Sequence, residues 1–272
     1  MTQYPSSENK KNLSIIDLQA MKQKGEKIAC LTAYDASFSA VLDQAGIDLI
    51  LVGDSLGMVI QGKDTTLPVT VDEIVYHTQC VTQSKPRAFI VADLPFMSYY
   101  SPEKAAKNAT QLMQQGLAQM VKLEGTKPEV IAFLVAQGIP VCGHLGLLPQ
   151  SINQLGSYHV QGKEKSTADK IMADALKLEQ AGASLLVLEC VPAILAKKIA
   201  TQLRIPVIGI GAGIDCDGQV LVLYDMLDIG VSHRPKFSKN YLQNASSVTE
   251  AVSNYIEEVK QQRFPSSEHT YQ

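Results

Sequence analysis

One local pattern recurs along this chain, and it limits the folds open to the sequence. A segment with helical character ends at a glycine, a mostly apolar run follows, and an ionisable residue closes the run. Gln44-Ala45-Gly46 leads into residues 47–54, and Gln114-Gln115-Gly116 into 117–124. Ala136-Gln137-Gly138 leads into 139–144, and Gln180-Ala181-Gly182 into 183–189. Each glycine is expected just past a helix end, in the left-handed conformation that terminates it. The continuous apolar runs suit strands buried on both faces, as in a parallel sheet covered by helices.

The remaining segments fill in the alternation. Residues 13–24 read as a short amphipathic helix ahead of a first strand at 28–33, and Asp35 or Ser37 caps the helix that follows. Further helices are expected over 71–84, 102–115, 128–137, 167–180, 192–203, 217–227 and 248–259. Further strands are expected at 87–92 and 205–210, with a weak eighth near 228–231. Seven or eight βα units with no dividing linker predict a single-domain α/β fold, a (β/α)8 TIM barrel over residues 13–264. Polar tails at 1–12 and 265–272 flank it. An open doubly wound sheet is the second choice.

Composition narrows the function classes. With 24 Lys+Arg against 27 Asp+Glu, the net charge is −3, which points to neither a nucleic-acid nor a membrane partner. No apolar run reaches the roughly 20 residues of a membrane span. The five cysteines are scattered, three of them (Cys30, Cys142, Cys190) within apolar runs, so a reducing, cytoplasmic setting is expected. The start of the chain lacks the apolar core of a secretory signal.

In such a barrel the C-terminal ends of the strands surround one pocket. That rule collects Asp54, Ser55, Asp93, Lys122, Glu124, His144 and Glu189 at one mouth. Lys122 and Glu124 are two apart on a strand and therefore face the same way. The loop after the second strand, residues 52–70, is long for an α/β unit and holds Gly53, Gly57 and Gly62, as a ligand-contacting lip would. Gathered carboxylates call for a cation to offset their repulsion. An oxygen-rich set with one histidine suits Mg²⁺ better than Zn²⁺. Such an ion can chelate a 2-oxo acid and stabilise its enolate, with Lys122 and His144 holding negative charge and Glu189 as general base. Gly209, Gly211 and Gly213 fail the dinucleotide spacing and fit tight packing better than a phosphate site. No Gly-x-Ser-x-Gly, P-loop or metalloprotease motif occurs.

The motifs at these strand ends resemble a known family. VGDSLG (52–57), TLPVT (66–70), ADLPF (92–96), VKLEG (121–125), VCGHLGL (141–147), LVLEC (186–190) and VIGIGAG (207–213) look like ketopantoate hydroxymethyltransferase, in order from about residue 32 to 240. The resemblance implies transfer of a hydroxymethyl group from 5,10-methylenetetrahydrofolate to 3-methyl-2-oxobutanoate through a Mg-stabilised enolate. The product is 2-dehydropantoate, on the route to pantothenate and coenzyme A. It also implies Mg²⁺ on Asp54 and Asp93 with Glu124 reaching the ion. Ser55, Lys122 and His144, with the metal aspartates, are implied as substrate contacts, and Glu189 as proton acceptor. A homo-oligomer, in some members a decamer, is implied as well. Ser157 and His159 stand where the family usually has Gly and Lys, and Asp215, Cys216 and Tyr224 also depart from it. These are expected in loops and outer helices, where they leave the chemistry intact and bear on the folate contacts and the assembly. Two rival readings remain open: a Mg-dependent 2-oxo-acid C–C lyase of the phosphoenolpyruvate/isocitrate lyase type, and a non-catalytic 2-oxo-acid binder. No aromatic cage for a folate is visible in a sequence with no Trp and 6% aromatics.

Overall fold

The structure, a computed structural model, describes residues 11–230 and 234–271. Most of the N-terminal tail and Val231 of the expected eighth strand lie outside the described residues. Eight parallel strands close on themselves in sequence order. They are β1 (Ile28–Thr32), β2 (Leu49–Val52), β3 (Phe89–Asp93), β4 (Met120–Glu124), β5 (Val141–Gly146), β6 (Leu185–Glu189), β7 (Val207–Ile210) and β8 (Gly218–Leu221). In chain order the helices are α1 (Ile15–Lys24), α2 (Ala36–Ala45), α3 (Leu56–Val59), α4 (Val71–Thr82), α5 (Pro102–Gln114), α6 (Pro128–Ala136), α7 (Ile152–Leu155), α8 (Lys165–Gln180), α9 (Ala193–Gln202), α10 (Leu223–Leu227) and α11 (Val248–Lys260). This is the (β/α)8 barrel expected from the alternation. Among the described residues no helix is long and apolar enough to cross a membrane.

Two cores hold it. The larger lies between strands and helices. The smaller fills the barrel and is built by every second residue: Cys30 on β1, Leu49 and Leu51 on β2, Phe89 and Val91 on β3, Leu185 and Val187 on β6. Helix α1 closes the bottom, with Leu18 wholly buried against that interior. Ser14 and Asp17 form a reciprocal capping box at its start. Lys22 at its end reaches Asp217 at 2.7 Å and the carbonyls of Ala200 and Ile205 at 2.8 Å. The apolar floor of the barrel is thus sealed from below, and the same inward parity carries on upward into the ionisable residues at the mouth.

Three expectations change. Residues 217–227 hold β8 and α10 rather than one helix, and residues 228–230 are not strand. The segment misleads because Val220, Leu223 and Leu227 keep helical spacing while the strand itself is four residues with a glycine and a glutamine. Gly218 is needed because a Cβ there would stand 2.4 Å from the Ile28 carbonyl oxygen, where β8 pairs with β1. At Gly116 the left-handed residue is instead Leu117, at φ 63°. Gly116 serves packing, since a Cβ would meet the Leu112 carbonyl at 2.5 Å. Residues 265–271 do not trail away: Tyr271 accepts a backbone hydrogen bond from Ala193 at 3.0 Å. The other caps agree with expectation, with Asp35 accepting from the Phe38 amide at 2.9 Å and Gly46 and Gly182 left-handed.

Closure through Gly218 gives a direct test. Gly218→Ala should cost about 3 kcal/mol through overpacking against Ile28 and Ile208, read as a lowered midpoint in urea denaturation.

Candidate active site

The barrel register pairs the ionisable residues across neighbouring strands. Asp93 on β3 sits beside Lys122 on β4, Glu124 beside His144 on β5, and Gly146 beside Glu189 on β6. Lys122 Nζ lies 2.8 Å from Asp93 Oδ1. His144 stands between two carboxylates, with Nδ1 3.5 Å from Glu124 and Nε2 3.2 Å from Glu189 Oε2. Asp54 and Ser55 follow the end of β2, and the Asp54 amide donates to Asp93 Oδ2 at 3.0 Å. All seven line one cavity of about 640 Å³ at the C-terminal end of the barrel. The sequence therefore names a set that the fold does bring together. Asp54, Asp93, Lys122, Glu124 and His144 are buried; the Glu189 side chain retains 15% exposure, which leaves it open to a ligand in the cavity.

Close backbone contacts aim Glu189. The next residue, Cys190, adopts φ 47°, a left-handed conformation uncommon for a side-chain-bearing residue. Its amide donates to Ile210 and its carbonyl accepts from Gln161, both at 2.8 Å, so the turn is held from two sides. Gly146 allows the neighbouring strand to approach, since a Cβ there would stand 2.1 Å from the Glu189 carbonyl.

The charges are not independent. Burial, then the nearby charges of Asp93 and Glu124, raise the Asp54 carboxyl well above the ordinary carboxylate range, against the opposing pull of Lys122 and the Gln150 donor. Lys122 is buried, which disfavours its charge, yet Asp93, Glu124 and Asp54 outweigh that and hold it protonated. For His144, burial and Lys122 act to discharge the ring, but Glu124 and Glu189 on either side raise it to about 9.

The donor set fits a hard cation and an anionic ligand. Asp93 Oδ1 and both ring nitrogens of His144 are buried without an aligned hydrogen-bond partner. Among the described residues no three His, Cys, Asp or Glu side chains form a group that could by themselves hold a metal ion. Two carboxylates with the remaining positions left to water or substrate is the usual provision for Mg²⁺.

Sequence reading missed the residues that brace this floor. Gln150 donates to Asp54 Oδ2 at 2.7 Å and to the Leu94 carbonyl at 3.0 Å, while its amide donates to Glu124 Oε2 at 3.1 Å. Tyr99 donates to Gln150 Oε1 at 2.6 Å and accepts from the Glu124 amide at 3.3 Å. Tyr34 shares a 2.8 Å hydrogen bond with Ser55. Gln150 lies within a short 3₁₀ turn, Pro149–Ser151, rather than at a strand end, so the strand-tip rule could not select it.

The upper wall of the cavity comes from segments outside the strands. Tyr158, His159, Phe237 and Tyr271 line the same cavity, so the segment carrying the departures at Ser157 and His159 borders the site. Asp215 instead pairs at 3.3 Å with Lys197, and Cys216 is buried. The glycines at 209–213 serve packing, as expected: Cβ atoms at Gly209 and Gly213 would stand 2.8 Å from Cys216 and 2.6 Å from Ala193.

Two outcomes follow from this geometry. Gln150→Leu strips donors from Asp54 and should destabilise the fold by about 1–3 kcal/mol in denaturant titrations. In metal-free protein, the His144 ring should titrate near pH 9 by imidazole NMR. Because that value is raised above 6.5, its contribution to stability is complete below about pH 6.5 and is lost as pH rises through 9.

Comparison with known proteins agrees with the motifs. The profile of the family described as ketopantoate hydroxymethyltransferase matches residues 12–267. The 3-methyl-2-oxobutanoate hydroxymethyltransferase of Thiobacillus denitrificans is 58% identical over 262 residues, covering 95% of this chain and 99% of that one. That of Alkalilimnicola ehrlichii is 55% identical over 256 residues, covering 93% and 92%. Among solved structures, oxaloacetate acetylhydrolase in complex with oxalate superposes with a TM-score of 0.57 at 12% identity, covering 91% of this chain and 96% of that one. Phosphonopyruvate hydrolase does so with a TM-score of 0.58 at 11% identity, covering 76% and 80%. Likeness at that level concerns the fold alone, whereas the sequence matches span nearly the whole chain: it belongs to the ketopantoate hydroxymethyltransferase family.

Proposed function

We propose that this enzyme transfers a hydroxymethyl group from 5,10-methylenetetrahydrofolate to 3-methyl-2-oxobutanoate, giving 2-dehydropantoate and tetrahydrofolate in pantothenate synthesis. The observation that carries the reading is the placement of Glu189 beside His144, in a cavity whose opposite side holds Asp54, Asp93 and Lys122. A proton acceptor thus faces a centre able to bind the carboxylate and keto oxygens of a 2-oxo acid.

The side chains divide the work. Glu189 takes the proton from C3 of the acid, which is acidified by the adjacent keto group. The charged His144 ring stands 3.2 Å from this carboxylate and orients it. Lys122 lies in the same buried centre and offsets negative charge that develops on the keto oxygen, where a low dielectric makes its charge count for more. Ser55, steadied by Tyr34, offers a hydroxyl to the substrate carboxylate. Asp54 and Asp93 would hold a Mg²⁺ ion, which supplies Lewis-acid charge next to the substrate oxygens. Water adds to the donor's methylene carbon and both of its C–N bonds break, so that tetrahydrofolate leaves with water's two hydrogens on its nitrogens and the carbon remains at the aldehyde level; C3 attacks that carbon, and the resulting alkoxide takes back the proton held by Glu189.

The test uses the half-reaction that needs no donor. With Mg²⁺ present, the enzyme should exchange the C3 proton of 3-methyl-2-oxobutanoate with deuterium from solvent, followed by proton NMR. Glu189→Gln should slow this exchange by about 10²–10⁴-fold while 3-methyl-2-oxobutanoate still binds. Exchange at the parental rate in Glu189→Gln would remove Glu189 as the base. Cleavage of a 2-hydroxy diacid without folate would favour the lyase reading instead.

A further inference from the structure

The cavity is larger and less uniform than a small keto acid requires. Its floor is the buried charged set, while its volume of about 640 Å³ lies in the range that accommodates a drug-sized ligand. The polar floor leaves an upper chamber with a different lining, and two separate stretches of chain build that lining.

Phe237 comes from the segment between α10 and α11, and Tyr271 from the C-terminal end of the described chain. Both rings close on Gly211, where a Cβ would stand 3.1 Å from each of them. Tyr271 is fixed by its backbone bond to Ala193 at the start of α9, and Lys236 Nζ lies 5.4 Å from its ring centroid. Burial together with the charges of Cys190 and Glu189 raises the Tyr271 phenol above its ordinary range, which places this ring within electrostatic reach of the base. Lys163 and Lys236 stand on the rim of the same cavity. The upper chamber therefore pairs a flat aromatic wall next to Glu189 with positive charge at its edge.

We propose that Tyr271 and Phe237 form the wall against which the fused ring of the folate donor packs, bringing its one-carbon unit over the floor. This rests on the folate-dependent reading of the site. A folate joins a flat heteroaromatic ring to a tail ending in carboxylates, so an aromatic face with a lysine-bearing rim complements both ends. The C-terminal segment is then part of the active site, and its partly exposed tyrosine is a binding residue for the second substrate.

The experiment measures tetrahydrofolate binding to the full chain by calorimetry, with Mg²⁺ and 3-methyl-2-oxobutanoate present, alongside binding of the keto acid alone. Tyr271→Ala should weaken tetrahydrofolate binding by about tenfold, the scale of one lost stacking contact. Tyr271→Phe should stay within about twofold of the parent because the ring survives. Keto-acid affinity should stay within about twofold in both variants, since the floor does not change. Unchanged tetrahydrofolate binding in Tyr271→Ala overturns the wall. So does an equal loss of keto-acid binding, because the residue would then support the floor. A parent enzyme that binds no tetrahydrofolate, while still exchanging the C3 proton, overturns the folate reading and the wall with it. These failures are thereby told apart.

Discussion

The structure turns on the balance of buried charge at the barrel mouth. Four carboxylates, from Asp54, Asp93, Glu124 and Glu189, gather around Lys122 and His144 on the floor of a cavity whose lining also carries Asp225, His159, Lys163 and Lys236. With Lys122 and His144 both charged, the negative groups remain in excess, and the raised Asp54 carboxyl shows where the protein absorbs it. Burying such a set costs free energy unless each charge is paired and hydrogen-bonded. Strand register supplies the pairing: Asp93 with Lys122 and Glu124 with His144 are neighbours across the sheet before any side chain chooses a rotamer. Gln150 and Tyr99 then supply donors that the strands cannot.

Much of this was legible in the sequence because one parity governs both the core and the site. Residues at every second strand position fill the barrel with apolar side chains below and ionisable ones above, so reading the apolar runs to their ends finds Asp93, Lys122, Glu124, His144 and Glu189. The rule fails where backbone contact replaces side-chain pattern. β8 is short, starts at a glycine selected for closeness to Ile28, and carries an amide where the other strands carry apolar residues. Its place in the barrel depends on closure with β1, a contact between residues about 190 positions apart. Gln150 likewise acts through three hydrogen bonds to distant segments, and no local spacing encodes them.

The upper wall was illegible for a related reason. Tyr158, Phe237 and Tyr271 are far apart in sequence and belong to no periodic run, so composition alone suggested too few aromatics to form a surface. The fold nonetheless brings all three to the lining of one cavity, with Phe237 and Tyr271 meeting at Gly211. Each sits in a segment outside the strands, and one lies in a stretch that reads as a polar tail. Packing of that stretch on Ala193 and Gly213 depends on the same run of glycines that sequence spacing already disqualified as a nucleotide motif.

Floor and wall therefore differ in mechanical character, and the difference suits their tasks. The groups that handle the proton and the developing charge stand on strands, above an apolar core sealed from below by α1, where a displacement of an ångström is resisted by close packing. The upper wall is built instead on segments outside the strands, with Tyr271 held there by the Ala193 amide and Phe237 packed on the core. In the reaction we propose, the geometry that removes the proton is therefore set by the strands, and a molecule packing on the wall does not have to build it.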